Sequence, residues 1–242
     1  MEIITSLNNN KIKELSKLLN KKYRDQTNLF LVEGEHLVKE AYNSNLLQEI
    51  ICTPKYENYL DIKTTYVSKE IINKLSDTIT PQEIIGVVKK KEENTIGNKV
   101  LILDNIQDPG NLGTIIRSSV AFNIDTIILS NDTVDLYNPK VIRSTEGMLF
   151  KINIIRKELN NIIDILKEEN YTIYGTKVTK STLLKETEFT NKFAIIMGNE
   201  GNGVKKELLK KCDKYIYIKM NKECESLNVA VATSIILYEI NR

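Results

Sequence analysis

The chain has 242 residues, of which 41% are hydrophobic and 27% are charged, so its composition is that of a globular protein and excludes a disordered or collagen-like chain. Thirty-four basic residues against 32 acidic ones leave a net charge of +2, which is too close to neutral to indicate a polyanionic partner. The three cysteines lie far apart and form no CxxC pair, which argues against a disulfide framework and a zinc site.

Residues 1–92 are predicted to form a small α/β domain. A helical spacing of apolar residues over 8–20 is followed by short apolar runs that alternate with further helical stretches. These runs are NLFLVEG, LQEIICT, TTYVS and EIIGVVKK. The charged segment after them has no apolar periodicity, and we place a linker at 93–98.

Residues 99–242 are predicted to form a second α/β domain with a mostly parallel sheet. Its apolar runs have the pattern of strands buried on both faces, and helical patterns separate them. The runs are VLILD, DTIILS, YTIYGT, FAIIM and KYIYIKM. Ligands bind beyond the carboxyl ends of the strands in such sheets, so the loops after these runs are the candidate sites.

The loop after VLILD contains a turn sequence, DPG, and then the start of a helix. Asn111 is a plausible N-cap of that helix. Gly113 and Arg117 are one helical turn apart, so the glycine leaves space in which the guanidinium reaches a ligand. The alternative is a tight turn with a surface arginine, which we disfavour because the chain has 29 lysines and only five arginines.

The loop after FAIIM, GNEGNG at 198–203, holds three of the ten glycines, which predicts a close approach of the backbone to another group. Its spacing is neither that of a Walker A loop nor that of a dinucleotide fingerprint, so a phosphate cradle is disfavoured. Glu200 is the one ionisable side chain in this loop. We interpret it as a hydrogen-bond acceptor or general base, and the alternative is a solvated carboxylate.

The third candidate segment, ESLNVAVATS, opens the last predicted helix. Ser226 and Asn228 are either site residues or capping residues, and the residues themselves leave both interpretations open. Leu227 and the apolar residues after Asn228 are interpreted as core residues whose main chain also contacts a ligand.

A fourth segment, NPKVIRSTEGMLF, contributes Arg143 and Ser144. A cation and a hydroxyl side by side suit a nucleic-acid phosphate, although an ion pair on a helix surface explains Arg143 equally well. The lysines between 205 and 211 are interpreted as a solvated face that also suits an RNA backbone.

These segments resemble, in the same order, the motifs of the SpoU/TrmH branch of the SPOUT RNA methyltransferases. The three motifs are DPGNLGTIIR, IIMGNEGNGV and ESLNVAVATSIILYE, and the resemblance covers nearly all of 99–242. The first domain is similar, more weakly, to the substrate-binding domain of that family through FLVEGEHLVKEA.

The resemblance implies methylation of a ribose 2'-hydroxyl with S-adenosylmethionine as donor, a deep trefoil knot in the C-terminal domain, a homodimer formed by that domain, and no metal. The implied catalytic residues are Asn111, Arg117, Glu200, Ser226 and Asn228. The implied cofactor-binding residues are Gly198, Ile218, Met220 and Leu227, largely through their main chain. Arg143 and Ser144 are the implied RNA contacts.

The sequence departs from the family where Lys219 replaces a usual proline and Lys222 a usual glycine. The family view that the motif-one arginine is the base conflicts with the chemistry of guanidinium, which is not normally deprotonated in proteins. We therefore expect Arg117 to grip a phosphate and stabilise charge, while Glu200 or that phosphate accepts the proton.

Ribosomal RNA is the predicted substrate, and the alternatives are a transfer RNA 2'-O-methyltransferase and a non-catalytic RNA-binding protein of the same fold. The N-terminus lacks a signal-peptide pattern, and no run of 18 apolar residues occurs. We therefore expect a cytoplasmic protein.

Overall fold

The computed structural model describes residues 2–177 and 181–242, which fall into two compact units. The first unit comprises the residues up to Glu92 together with Asp135–Lys151. The second comprises Glu93–Val134 and the described part of Ile152–Arg242. This division differs from the predicted second domain, 99–242, in that 135–151 lie in the first unit.

The elements are as follows. The strands are β1 (Ile3–Ile4), β2 (Leu29–Glu33), β3 (Leu47–Cys52), β4 (Thr64–Val67), β5 (Ile84–Lys89), β6 (Lys99–Leu103), β7 (Thr126–Leu129), β8 (Asn153–Arg156), β9 (Thr172–Thr176), β10 (Thr182–Leu183), β11 (Phe193–Met197) and β12 (Lys214–Tyr217). The helices are α1 (Asn10–Lys17), α2 (Lys21–Thr27), α3 (Glu35–Asn43), α4 (Lys69–Leu75), α5 (Pro109–Ala121), α6 (Pro139–Ser144), α7 (Leu159–Glu168), α8 (Lys206–Lys210) and α9 (Val229–Ile240). Within the described ranges, no helix is both long and apolar enough to cross a lipid bilayer.

The first unit is built on a mixed sheet. Its described strands follow the order β1, β4, β3, β5, β2, with parallel pairing among the first three and antiparallel pairing of β5 with both of its neighbours. Segment 135–151 belongs to this unit because its apolar side chains complete the core on one face of the sheet. Ile142, Leu149 and Phe150 are buried in the cluster that contains Phe30.

The second unit is built on a parallel sheet, as the sequence predicts. Its described strands follow the order β10, β12, β9, β11, β6, β7, β8, and every neighbouring pair is parallel. Helices α7 and α8 pack on the face that carries Val100 and Ile102, and α5 packs against α9, where Ser118 and Ser234 share a hydrogen bond of 2.7 Å.

A buried ion pair ties α2 to segment 135–151. The Arg24 side chain is 4% exposed, and its guanidinium donates to Asp135 Oδ2 at 2.6 Å and to the carbonyl oxygens of Leu18 and Leu19 at 2.8 Å. Three acceptors, one of them charged, would therefore lose their donor if this side chain were shortened.

We expect Arg24→Ala to lower the free energy of unfolding of the first unit by about 3 kcal/mol, because it leaves Asp135 and two carbonyl groups without their donor. Urea denaturation followed by circular dichroism measures the change. The control is Lys17→Ala, which removes the exposed ion pair to Glu14 and should leave the free energy of unfolding nearly unchanged. Equal effects of the two substitutions would contradict the structural role of Arg24.

Candidate active site

The loops after β6 and β11 meet because these strands are parallel neighbours in the second unit. Leu103 at the end of β6 pairs with Met197 at the end of β11, so both loops leave the sheet at the same edge. This edge is where an open parallel sheet binds its ligands. The first two candidate loops of the sequence are therefore brought together.

Helix α5 begins one turn earlier than the predicted cap implies. The carboxylate of Asp108 accepts the backbone N–H of Asn111 at 2.8 Å, and Pro109 occupies the first turn, where its missing N–H is no loss. The prediction that Asn111 caps this helix is wrong, because the carboxylate three residues earlier takes that role. The Asn111 side chain is consequently available to groups outside the helix.

Glu200 joins the loops after β6 and β11. Its Oε1 accepts hydrogen bonds from Asn111 Nδ2 at 3.0 Å and from the Asp108 N–H at 3.2 Å, and its Oε2 accepts the Gln107 N–H at 3.4 Å. The Nδ2 of Asn228 in turn donates to Asn111 Oδ1 at 2.9 Å. Asn111, Glu200 and Asn228, which are far apart in sequence, thus form one hydrogen-bonded chain.

These hydrogen bonds keep Glu200 ionised. Burial disfavours its charge, but the donors outweigh burial and hold the pKa of Glu200 below its ordinary value; they are the Asn111 amide and the backbone N–H groups of Glu200, Asp108 and Gln107. A carboxylate with a lowered pKa is a weaker proton acceptor. Glu200 is therefore better suited to holding the two loops together than to acting as a general base.

Asn199 organises the GNEGNG loop, and the sequence analysis did not single it out. Its backbone forms a bridge with Gly203 through hydrogen bonds of 3.0 and 2.9 Å, and its Oδ1 accepts the N–H groups of Gly201 and Asn202. Its Nδ2 donates to the Asn105 carbonyl at 2.8 Å. The available signal was its position in a glycine-rich turn, where asparagine side chains bond to nearby backbone.

Asn228 is the N-cap of α9. Its Oδ1 accepts the N–H groups of Ala230 at 2.9 Å and Val231 at 3.2 Å, so it combines the capping role with its bond to Asn111. Ser226 is not the cap. It lies exposed two residues earlier, and no hydrogen bond of its hydroxyl is found within the described residues.

Arg117 differs from the other arginines. It lies exposed on α5, and its guanidinium makes no hydrogen bond or ion pair to any residue in 2–177 or 181–242. The other four arginines, Arg24, Arg143, Arg156 and Arg242, each have a protein partner. A guanidinium without a protein partner is available to an anionic ligand, which it can bind through two parallel hydrogen bonds.

A cavity of about 420 Å³ lies in the second unit and is lined in part by Glu200, whereas Asn111, Arg117 and Asn228 are not among its lining residues. All four predicted cofactor-binding residues line it, namely Gly198, Ile218, Met220 and Leu227, together with Glu200 and Ser226 of the predicted catalytic set. Four residues outside the predicted site set also line it, and the available signal was their place at or next to strand ends: Thr176, Lys177, Met197 and Tyr217. Lys219 and Lys222, at the positions that depart from the family, are exposed.

Arg143 and Ser144 lie in the first unit and are not part of this group. Arg143 forms an ion pair with Asp77, and the Ser144 hydroxyl donates to the carbonyl of Lys140 at 2.8 Å within its own helix. The interpretation of Arg143 as an ion-paired helix residue is therefore the one that matches the contacts observed. No cluster able to hold a metal ion is formed by the His, Cys, Asp and Glu residues of the described part of the chain.

Comparison with known proteins identifies the family of this chain. A sequence model of the SpoU rRNA methylase family matches residues 98–238, and one of the MRM3-like substrate binding domain matches residues 9–86. The chain is 39% identical to the 23S rRNA (guanosine(2553)-2'-O)-methyltransferase RlmP of Bacillus subtilis, with 99% of each chain covered. It is 31% identical to the 23S rRNA (guanosine-2'-O-)-methyltransferase RlmB of Coxiella burnetii, with 85% of this chain and 86% of the relative covered.

A solved structure extends the likeness to three dimensions. The AdoMet-bound rRNA methyltransferase from Sinorhizobium meliloti is 27% identical and superimposes with a TM-score of 0.88, covering 100% of this chain and 97% of that one. The fold and site thus define the class of this protein, an RNA methyltransferase that uses S-adenosylmethionine. The chain belongs to the SpoU rRNA methylase family, and the predicted family and the α/β fold class with a mostly parallel sheet are confirmed, apart from the trefoil knot.

We expect Gly198→Ala to abolish cofactor binding, because a Cβ at this position would overlap the backbone of Gly203 and Val204 and force the loop open. The matched control is Gly201→Ala in the same loop, where a Cβ would meet only the Asn199 side chain at 3.6 Å. Calorimetric titration with S-adenosylmethionine compares the two variants, and circular dichroism checks their folding. A Gly198→Ala variant that binds as tightly as the Gly201→Ala variant would refute this account of the loop.

Proposed function

We propose that this protein transfers the methyl group of S-adenosylmethionine to a ribose 2'-hydroxyl of a nucleotide in 23S ribosomal RNA. The observation that carries the proposal is the hydrogen-bonded chain of Asn111, Glu200 and Asn228 beside one cavity lined by the predicted cofactor residues. The names of the relatives, both guanosine 2'-O-methyltransferases of 23S ribosomal RNA, support a guanosine as the modified nucleotide.

The cavity fits the cofactor in size and in chemistry. Its volume of about 420 Å³ is within the usual range of small-molecule sites. Met197, Ile218, Met220 and Leu227 offer apolar surface, while the Gly198 backbone and the Ser226 hydroxyl offer polar groups. When bound, the cofactor supplies an electrophilic methyl carbon on a sulfonium, a donor that needs no metal.

Arg117 is assigned to the substrate. A ribose hydroxyl is a weak acid, so its oxygen must lose a proton or be stabilised as negative charge develops during the transfer. Arg117 has no protein partner among the described residues, which supports a role in gripping a phosphate next to the reacting ribose and stabilising that charge.

We assign Glu200 to positioning the two loops, and we assign the substrate phosphate as the acceptor of the proton from the ribose 2'-hydroxyl. The two acceptors considered from the sequence are Glu200 and the substrate phosphate. Burial raises the pKa of Glu200, but its hydrogen bonds outweigh burial and lower that pKa, which makes Glu200 a weaker base and supports the phosphate. Asn228 orients Asn111, since both ends of its side-chain amide are already bonded within the protein. Ser226 retains a free hydroxyl at the cavity for the sugar or the cofactor.

The first unit is proposed to bind the RNA, because residues 9–86 match a substrate binding domain. Arg143 is 35% exposed, and Ser144 follows it on α6. We propose both as phosphate contacts, and an RNA phosphate would then replace Asp77 as the partner of the Arg143 guanidinium. A transfer RNA substrate is not favoured by the relatives named above. The five predicted catalytic residues argue against a non-catalytic binding protein.

We also propose a homodimer formed by the C-terminal domain, and a cytoplasmic location, where ribosomal RNA is matured. Val231, Ile235 and Tyr238 are exposed at helical spacing along α9 and form an apolar stripe of the kind that a partner subunit covers. Light scattering measures the mass in solution, and a monomer would contradict the dimer. The trefoil knot implied by the resemblance stays a prediction.

The proposed reaction is tested on RNA from a strain that lacks the gene. We expect the purified protein with S-adenosylmethionine to add one 2'-O-methyl group to 23S ribosomal RNA, identified by nuclease digestion and mass spectrometry. Transfer RNA from the same strain is the control and should stay unmodified. Methylation of a base, of transfer RNA, or of no RNA at all would overturn the proposal.

We expect Arg117→Lys to lower kcat by about tenfold or more while leaving the Kd for S-adenosylmethionine unchanged, because lysine keeps the charge but loses the two-pronged grip. Single-turnover methylation and calorimetry measure the two quantities. Arg242→Lys, at an exposed arginine near the C-terminus, is the control and should leave both unchanged. Near-normal turnover of the Arg117→Lys variant would argue against a bidentate grip on phosphate.

A further inference from the structure

A fully buried carboxylate lies directly after β6 in the second unit. Asp104 has no exposed surface, and its N–H extends the pairing with β11 by donating to the Met197 carbonyl at 2.9 Å. Its Oδ2 accepts the backbone N–H of Lys205 at 2.9 Å, where α8 begins. Its Oδ1 has no hydrogen-bond partner among the described residues. A buried carboxylate oxygen without a hydrogen-bond donor destabilises the folded protein unless a cation lies close to it.

The ammonium group of Lys205 is that cation. Its Nζ lies 3.4 Å from Oδ1 of Asp104 and 3.3 Å from Oδ2 of Asp132. Burial disfavours the ammonium, but the two carboxylates outweigh it and raise the pKa of Lys205 above its ordinary value. The sequence analysis interprets Lys205 as part of a solvated face. The side chain is 44% exposed, which agrees with this interpretation, but the lysine also supplies an N–H and a charge to one buried carboxylate.

This pair closes the far end of the loop that carries Glu200. The near end of loop 198–203 is held to the segment after β6 by the bond from Asn199 Nδ2 to the Asn105 carbonyl. The far end leads through Val204 into Lys205, and the bonds from Lys205 to Asp104 hold it to the same segment. Loop 198–203 is thus attached to the end of β6 on both sides of the cavity-lining residues.

We propose that Lys205 is a positioning residue for the cofactor, whose ammonium compensates the buried Asp104 carboxylate and thereby holds loop 198–203 in the arrangement that binds S-adenosylmethionine. The inference rests on the proposed function. Without the ammonium, the buried carboxylate is uncompensated, and opening of the far end of the loop into water relieves it. The apparent affinity for the cofactor then falls with the fraction of molecules whose loop is closed.

The test is calorimetric titration of the full chain with S-adenosylmethionine. Lys205→Met is expected to raise the Kd by about tenfold, since it leaves a buried charge without its partner. The double variant Asp104→Asn, Lys205→Met removes that charge and retains an acceptor for the backbone N–H of residue 205. We expect it to bind within about threefold of the wild-type protein, because replacing both partners of the ion pair together leaves no buried charge without compensation.

Three further variants separate the charge effect from general destabilisation. Lys205→Arg keeps a cation and should restore binding, whereas Lys206→Met removes a neighbouring exposed lysine and should leave binding unchanged. Asp132→Asn removes only the exposed second partner, which is 67% exposed, and should change the Kd by less than about threefold. Thermal unfolding of each variant shows whether it is folded.

Wild-type binding by Lys205→Met, or a double variant no better than Lys205→Met, would overturn the inference while leaving the proposed function intact. If Lys205→Met does not fold, the inference depends on the double variant, which must then fold and bind. A wild-type protein that does not bind S-adenosylmethionine would defeat the proposed function itself, and this inference with it.

Discussion

The carboxylate of Glu200 receives hydrogen bonds from the side chain of Asn111 and from two backbone N–H groups of the loop after β6. This interaction joins two loops that are about 90 residues apart in the chain, and Asn228 adds a third segment to it. The shape of the cavity and the direction of Asn111 follow from this arrangement. The same bonds, which outweigh burial, hold the pKa of Glu200 below its ordinary value, and this supports the proposal that the substrate phosphate and not Glu200 accepts the proton.

Two cations of the second unit, Lys205 and Arg117, differ in their protein partners. Lys205 lies between two carboxylates and compensates one of them inside the protein. Arg117 is exposed and has no partner in the described ranges. A charge that is satisfied internally stabilises the site, whereas an unsatisfied one attracts an anionic substrate. The near-neutral total charge of the chain does not predict this difference between Lys205 and Arg117, because the difference depends on where each charge lies in the fold.

Much of the fold and of the site is predictable from local patterns. Continuous apolar runs predict the parallel strands, and the loops after them hold the predicted catalytic residues. The membership of 135–151 in the first unit is not predictable in this way, because the burial of Ile142 and Phe150 against Phe30 is a contact across more than 100 residues. The cap of α5 is missed for a local reason, since Asp108 and Asn111 are both good capping residues and only the backbone geometry decides between them.

The sequence by itself determined the α/β class, the family, and the segments that form the candidate site, because these depend on residue type and spacing along the chain. Only the tertiary structure decided which side chains meet, that Glu200 accepts a hydrogen bond from Asn111, and that Lys205 faces the buried Asp104. Those outcomes depend on distances between residues about 90 to 100 positions apart and, for Asp104, on burial away from water. Neither quantity is encoded in a local pattern.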